Sequence, residues 1–193
     1  DGFFPRKWDL HNDGTVRASL AAPTLLALTA KVDADIDWLE MFDFVGPAPA
    51  GAARIGIVDT GIRETHQDIT GKVIAANNFA FLYPATLIAD RVGHGSHVSG
   101  IAAARGNNGT GVVGLAYGPN MKLINAKACE LYNVGTPPVV QTLCFESSVA
   151  NAITYATDQG ANVINLSLGG GAPSALQQAA LQYALAHNTL PVC

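Results

Sequence analysis

A chain of 193 residues, 49% of them hydrophobic, has the size and composition of one globular domain or a large part of one. Charged residues make up only 13% and the net charge is −4, so no general attraction to nucleic acid or to an anionic membrane is expected. No apolar run reaches the roughly 18 residues of a membrane span. The start, "DGFFPRKWDL", reads as a processed or trimmed terminus, not a signal peptide.

Residues 1–53 are irregular and are expected to form an N-terminal arm. Trp8, Trp38, Leu39, Phe42 and Phe44 are its candidate apolar anchors, and "GPAPAGAA" is a turn-rich joint to the body. From Arg54 the pattern alternates. "RIGIVD" predicts a short buried strand, and "SHVSGIAAA" a helix of small residues packed on a sheet. "MKLINAKA" predicts a strand. "SSVANAITYATDQG" predicts a helix with a serine cap, Val149, Ile153 and Ala156 on its inner face, and Gly160 as its stop. "NVINLSL" is a further strand. "SALQQAALQYALAHN" opens with Ser174 and Gln177 at capping-box spacing and closes at Asn188, and "TLPVC" is one more strand. This β-α-β alternation predicts an α/β fold: a mostly parallel central sheet with helices on both faces, in a single domain. Ligands of such sheets bind beyond the carboxyl ends of the strands.

Asp59 stands at such an end, in "IGIVDTGI". A carboxylate closing a buried strand needs a partner, because burying an isolated charge is costly. Asp-Thr-Gly can be half of a carboxylate dyad that activates water, or its acid can orient a histidine that serves a nucleophile. A dyad within one chain needs a second Asp-Thr-Gly or Asp-Ser-Gly, and none is present; a dimer could supply it, but such folds have antiparallel sheets, against the α/β alternation here. In "DRVGHGSHVSG", Gly93 and Gly95 flank His94 at the predicted start of a helix, a suitable place for a general base. A surface histidine in a glycine-rich turn, or a metal pair with His97, are the plainer alternatives.

Four blocks settle the choice by resemblance. "IGIVDTGIRETHQDITGKV", "DRVGHGSHVSGIAAA", "NNGTGVVGLA" and "ITYATDQGANVINLSLGG" resemble, in order and spacing, those of the subtilisin-like serine proteases, closest to the thermitase-type branch. The likeness covers about residues 54–193 and is weaker from Asp1. It implies that Asp59 is the triad acid and His94 the base of an endopeptidase acting on protein or peptide substrates, secreted and extracellular. Ser96 stands where the family more often has threonine, and His66 with Asp68 matches a family H-x-D pair. Ser167, Leu168, Gly169 and Gly170 would offer main-chain groups to a substrate strand. A plain glycine turn is the alternative.

The resemblance also implies a structural calcium ion bound by Asp1, Asp68, Asn108 and the carbonyls of Thr110 and Val112. The family's oxyanion asparagine and nucleophilic serine are expected beyond "TLPVC", and no Gly-Thr-Ser occurs in the sequence. The fold is therefore expected to be incomplete at the C-terminus, the chain alone to be inactive, and its missing C-terminal part to be a partner. A peptide-binding module that has lost the chemistry is the alternative function. Of the three cysteines, Cys129 and Cys144 flank a Pro- and Gly-rich segment that joins a strand to a helix and whose ends could approach, so a disulfide between them is expected, with Cys193 a buried free thiol; three reduced cysteines are the alternative.

Overall fold

The computed structural model describes residues 36–46, 50–170 and 174–193. The proposed anchor Trp8 and the proposed ligand Asp1 lie outside them. Five strands form a parallel sheet: β1 (Ala53–Asp59), β2 (Val73–Asn78), β3 (Met121–Lys127), β6 (Val163–Asn165) and β7 (Leu190–Val192). Their order is β2-β3-β1-β6-β7, and every neighbouring pair is parallel. β4 (Cys129–Val134) and β5 (Val139–Cys144) form a separate antiparallel hairpin.

Successive residues of the central strands point to opposite faces, and the core divides accordingly. Val58, Ile124 and Ile164 pack with α3 (Glu146–Asp158) and α4 (Ala175–Ala186). Their neighbours Ile57 and Leu123 pack with Ile62, Ile69 and Ala103 of α2 (His94–Ala103) on the other side. Both faces are thus covered, and strands buried on both sides read as continuous apolar runs. Gly56 permits this packing on the α3 side, where an added Cβ would lie 2.9 Å from that of Ala156. None of the described helices is long and apolar enough to cross a membrane.

Several local expectations change. α3 begins at Glu146 with Phe145 at its N-cap and no side-chain cap, so Ser147 and Ser148 fall inside the helix. At α4 the Ser174 hydroxyl does accept from the Gln177 N–H, at 3.4 Å. The segment between Cys129 and Cys144, read as a strand-to-helix connection, is the β4–β5 hairpin. β2 adds a strand that is not among those predicted from the sequence. In the arm, α1 (Trp38–Val45) buries Trp38 against Val113 and Tyr117 with Leu39 and Phe42, but Phe44 is 91% exposed and anchors nothing.

The Cys129–Cys144 disulfide forms between residues directly opposed across the hairpin. Replacing both by alanine opens a loop spanning a sequence separation of 15. The entropy account then gives a loss of up to about 3 kcal/mol in denaturant unfolding, less whatever the hairpin retains in the unfolded chain. In this chain Cys193, which follows β7, is exposed rather than buried.

Lys72 carries a second testable feature. Its ammonium donates to the carbonyls of Ala116, Tyr117 and Gly118. Burial, with Arg105 and Lys122 nearby, outweighs those bonds and lowers its pKa from 10.5 to about 8. Between these values the unfolded chain binds the extra proton, so stability rises with pH. Wild type should gain on Lys72→Met by about 3 kcal/mol between pH 8 and 10.5. Parallel curves in urea titrations over that range would exclude the shift.

Candidate active site

β1 delivers Asp59 to the carboxyl end of the sheet, wholly buried. α2 starts opposite, and the His94 imidazole reaches back with Nδ1 2.8 Å from Asp59 Oδ1 and 2.9 Å from Oδ2. A carboxylate only accepts, so Nδ1 carries a hydrogen, and in the neutral ring Nε2 keeps its lone pair. The His94 side chain is 48% exposed. The couple therefore has a dry, fixed end and an open, basic end, which a proton acceptor needs.

Thr60 and Asp90 hold this geometry, and sequence reading passed over both. The Thr60 N–H donates to Asp59 Oδ1 at 2.6 Å. The Thr60 hydroxyl donates to Asp90 Oδ1 and accepts from the Gly95 N–H, both at 2.9 Å. Asp90 also accepts from the N–H groups of Val92, Gly93 and Ser96, and so satisfies donors that the start of α2 leaves unpaired. Burial alone would raise the Asp90 pKa, but these bonds from Gly93, Ser96 and Thr60 lower it below 3.8. The signal was available in principle, as an acid four residues before a glycine-flanked histidine. The Ser96 hydroxyl is used locally too, accepting from the Arg63 N–H at 2.9 Å. His97 is exposed, and among the described residues no group of three His, Cys, Asp or Glu could hold a metal.

The segment at Ser167 to Gly170 leaves β6 at the same end of the sheet. Ser167 is exposed and accepts from the Asn165 amide at 2.9 Å, while Leu168 packs on the α3 core. Leu168, Gly169 and Gly170 line a cavity of about 350 Å³ with Val149, Ile153 and Leu166. An added Cβ at Gly169 or Gly170 would meet nothing within 4 Å, so the glycines leave room beside the main chain.

Asp68 is buried inside the turn of residues 107–112. It accepts from the Asn108 amide at 2.8 Å and from the Val112 N–H at 3.0 Å. Gly111 presses so close, at φ +57°, that a Cβ there would lie 1.9 Å from Asp68 Oδ2. A half-turn of the Asn108 amide would present Oδ1 beside the carboxylate, so the donor chemistry suits an oxygen-seeking cation. The N–H of Thr110 instead donates to Asn108 Oδ1, at 3.1 Å.

An α/β sheet with a hydrogen-bonded Asp–His couple at its carboxyl edge is the layout of a nucleophilic hydrolase. The comparisons agree. Residues 51–193 match the Subtilase family. The chain is 39% identical over 137 residues to thermitase of Thermoactinomyces vulgaris, covering 71% of this chain and 44% of that protein. It is 40% identical over 131 residues to the thermophilic serine proteinase of Bacillus sp. (strain AK1), covering 68% and 29%. Among solved structures, the S41 psychrophilic protease superposes with a TM-score of 0.59 at 32% identity, over 72% of this chain and 44% of that one. The chain belongs to the subtilase family, as a thermitase-like member. It spans less than half the length of these relatives.

Proposed function

We propose that this chain is the acid–base part of an extracellular serine endopeptidase that hydrolyses peptide bonds in proteins. The observation that carries the reading is the Asp59–His94 couple, with one imidazole nitrogen fixed and the other open. In the proposed mechanism His94 Nε2 takes the proton of a serine hydroxyl as that oxygen attacks the scissile carbonyl, and later gives it to the leaving amine. Asp59 holds the tautomer and stabilises the imidazolium. Ser167 to Gly170 line the substrate strand, a role supported by their open, glycine-lined main chain. These 193 residues contain no Gly-Thr-Ser, so the nucleophile is assigned to a segment outside them. The extracellular assignment is supported by likeness to a cell wall-associated protease of Bacillus subtilis, 32% identical over 168 residues, and by the disulfide.

The test is a chromogenic peptide assay with the chain alone and with the chain joined to its own downstream segment. Turnover blocked by a serine-directed inhibitor is expected only in the joined protein. Peptide binding without turnover in the joined protein would instead support the binding-module alternative.

The same reading includes a calcium ion held by Asp68 and Asn108, with the Thr110 and Val112 carbonyls and Asp1 completing the oxygen set. When bound, it would neutralise the buried Asp68 charge and lock the 107–112 turn. Calcium at a hundredfold excess over its dissociation constant should stabilise the chain by about 2.7 kcal/mol relative to chelator. Asp68→Asn should abolish the difference. A melting midpoint indifferent to calcium would remove the site.

A further inference from the structure

Lys127 and Glu130 are both fully buried and neither takes part in the chemistry just described. β3 places Lys127 beside Asp59 in the sheet register. An ammonium has three hydrogens; two are donated to carbonyls, and, among the described residues, Glu130 pairs with the charge without accepting a hydrogen bond at Oε2. One goes to the carbonyl of Thr60 at 2.5 Å, a second to the carbonyl of Ala89 at 3.0 Å, and Glu130 Oε2 lies 3.1 Å away. Thr60 follows Asp59 directly. Ala89 precedes Asp90, which binds the N–H groups of Val92 and Gly93 just before the helix that carries His94 and that of Ser96 in its first turn. The other Glu130 oxygen takes the Leu131 N–H at 2.8 Å, and Arg91 stands 3.7 Å from Oε2.

We infer that Lys127, with Glu130 as its counter-charge, is the positioning residue that fixes the distance between Asp59 and His94. One ammonium bonds both segments that deliver the couple, so their separation cannot change without breaking a buried hydrogen bond. A buried ion pair is often no more stabilising than apolar side chains of the same volume. Stability alone therefore gives little reason for a charge here, whereas bridging two carbonyls from different segments requires a donor with several hydrogens. The inference rests on the proposed role of Asp59 and His94, but its test reads geometry and needs no turnover.

The experiment uses the 193-residue chain and follows the His94 Nδ1 hydrogen by proton NMR. Lys127→Met combined with Glu130→Gln removes both charges together and leaves no orphaned ion. This double variant should fold, with a cooperative melt and an unchanged methyl fingerprint. Its Nδ1 hydrogen should exchange with water about tenfold faster than in wild type, the scale of one lost hydrogen bond. An unchanged Nδ1 resonance in the folded double variant overturns the inference. If the variant does not fold, wild type decides. Warming should release the Lys127 ammonium hydrogens and the His94 Nδ1 hydrogen in one step. Loss of the lysine signals while the histidine signal persists would overturn it equally.

Discussion

In the chain joined to a serine nucleophile, His94→Ala should lower kcat by about a millionfold, and Asp59→Asn by about ten-thousandfold, with KM nearly unchanged in both. The difference follows from the geometry. Among the described residues, His94 is the group placed to take the proton, so its loss removes the base altogether. Asp59 acts through His94. Its two oxygens receive Nδ1 at 2.8 and 2.9 Å, and an asparagine presents an amide N–H to the same nitrogen. The imidazole would then hold its hydrogen on Nε2, where the lone pair is needed. Neither change should unfold the protein: Asp59→Asn removes a buried charge, and His94 is half exposed. Steady-state rates on a chromogenic peptide, with melting curves for each variant, measure both. Variants within tenfold of wild type would end the triad reading.

The parts of this arrangement that were legible in the sequence are those encoded locally. An apolar run that ends in Asp59 marks a strand tip, and a glycine-flanked His94 before small residues marks a helix start. The capping spacing at Ser174 and Gln177 placed α4. What escaped is encoded by long-range contact. Lys127 and Glu130 lie in a strand and hairpin whose patterns say only that they are buried, and their partners are carbonyls 38 to 67 residues away or each other. The hairpin was hidden because Pro137, Pro138 and Gly135 suggested a plain connection, although "VVQTLC" has strand character. The exposure of Phe44 has a related cause. An apolar residue on the outer side of a short helix has no neighbour that sequence alone can supply or deny.

Two glycines of α2 should respond in opposite directions to alanine. Gly100 lies in the helix interior, and a Cβ there would find only Val112 Cγ2, at 4.0 Å. Gly100→Ala should stabilise by about 0.5–1 kcal/mol, the helix-propensity gain. Gly95 faces the end of β1. Its Cβ would lie 2.2 Å from the Gly61 carbonyl oxygen and 3.1 Å from Asp59 Oδ1. The obstructing atom at Gly61 is backbone, so no side chain can rotate out of the way, and the whole start of α2 must move off the strand. That movement also breaks the Gly95 N–H bond to the Thr60 hydroxyl and draws His94 away from Asp59. Overpacking against a rigid backbone together with a lost buried bond should cost about 3 kcal/mol or more. In the joined enzyme the residual activity should fall toward that of Asp59→Asn, because the base loses its orienting acid. Urea denaturation of both variants tests the contrast directly. A Gly95→Ala protein as stable as wild type would mean that α2 does not dock this closely on the end of β1, and that the close approach required by the Asp59–His94 couple is set by something other than the missing side chain.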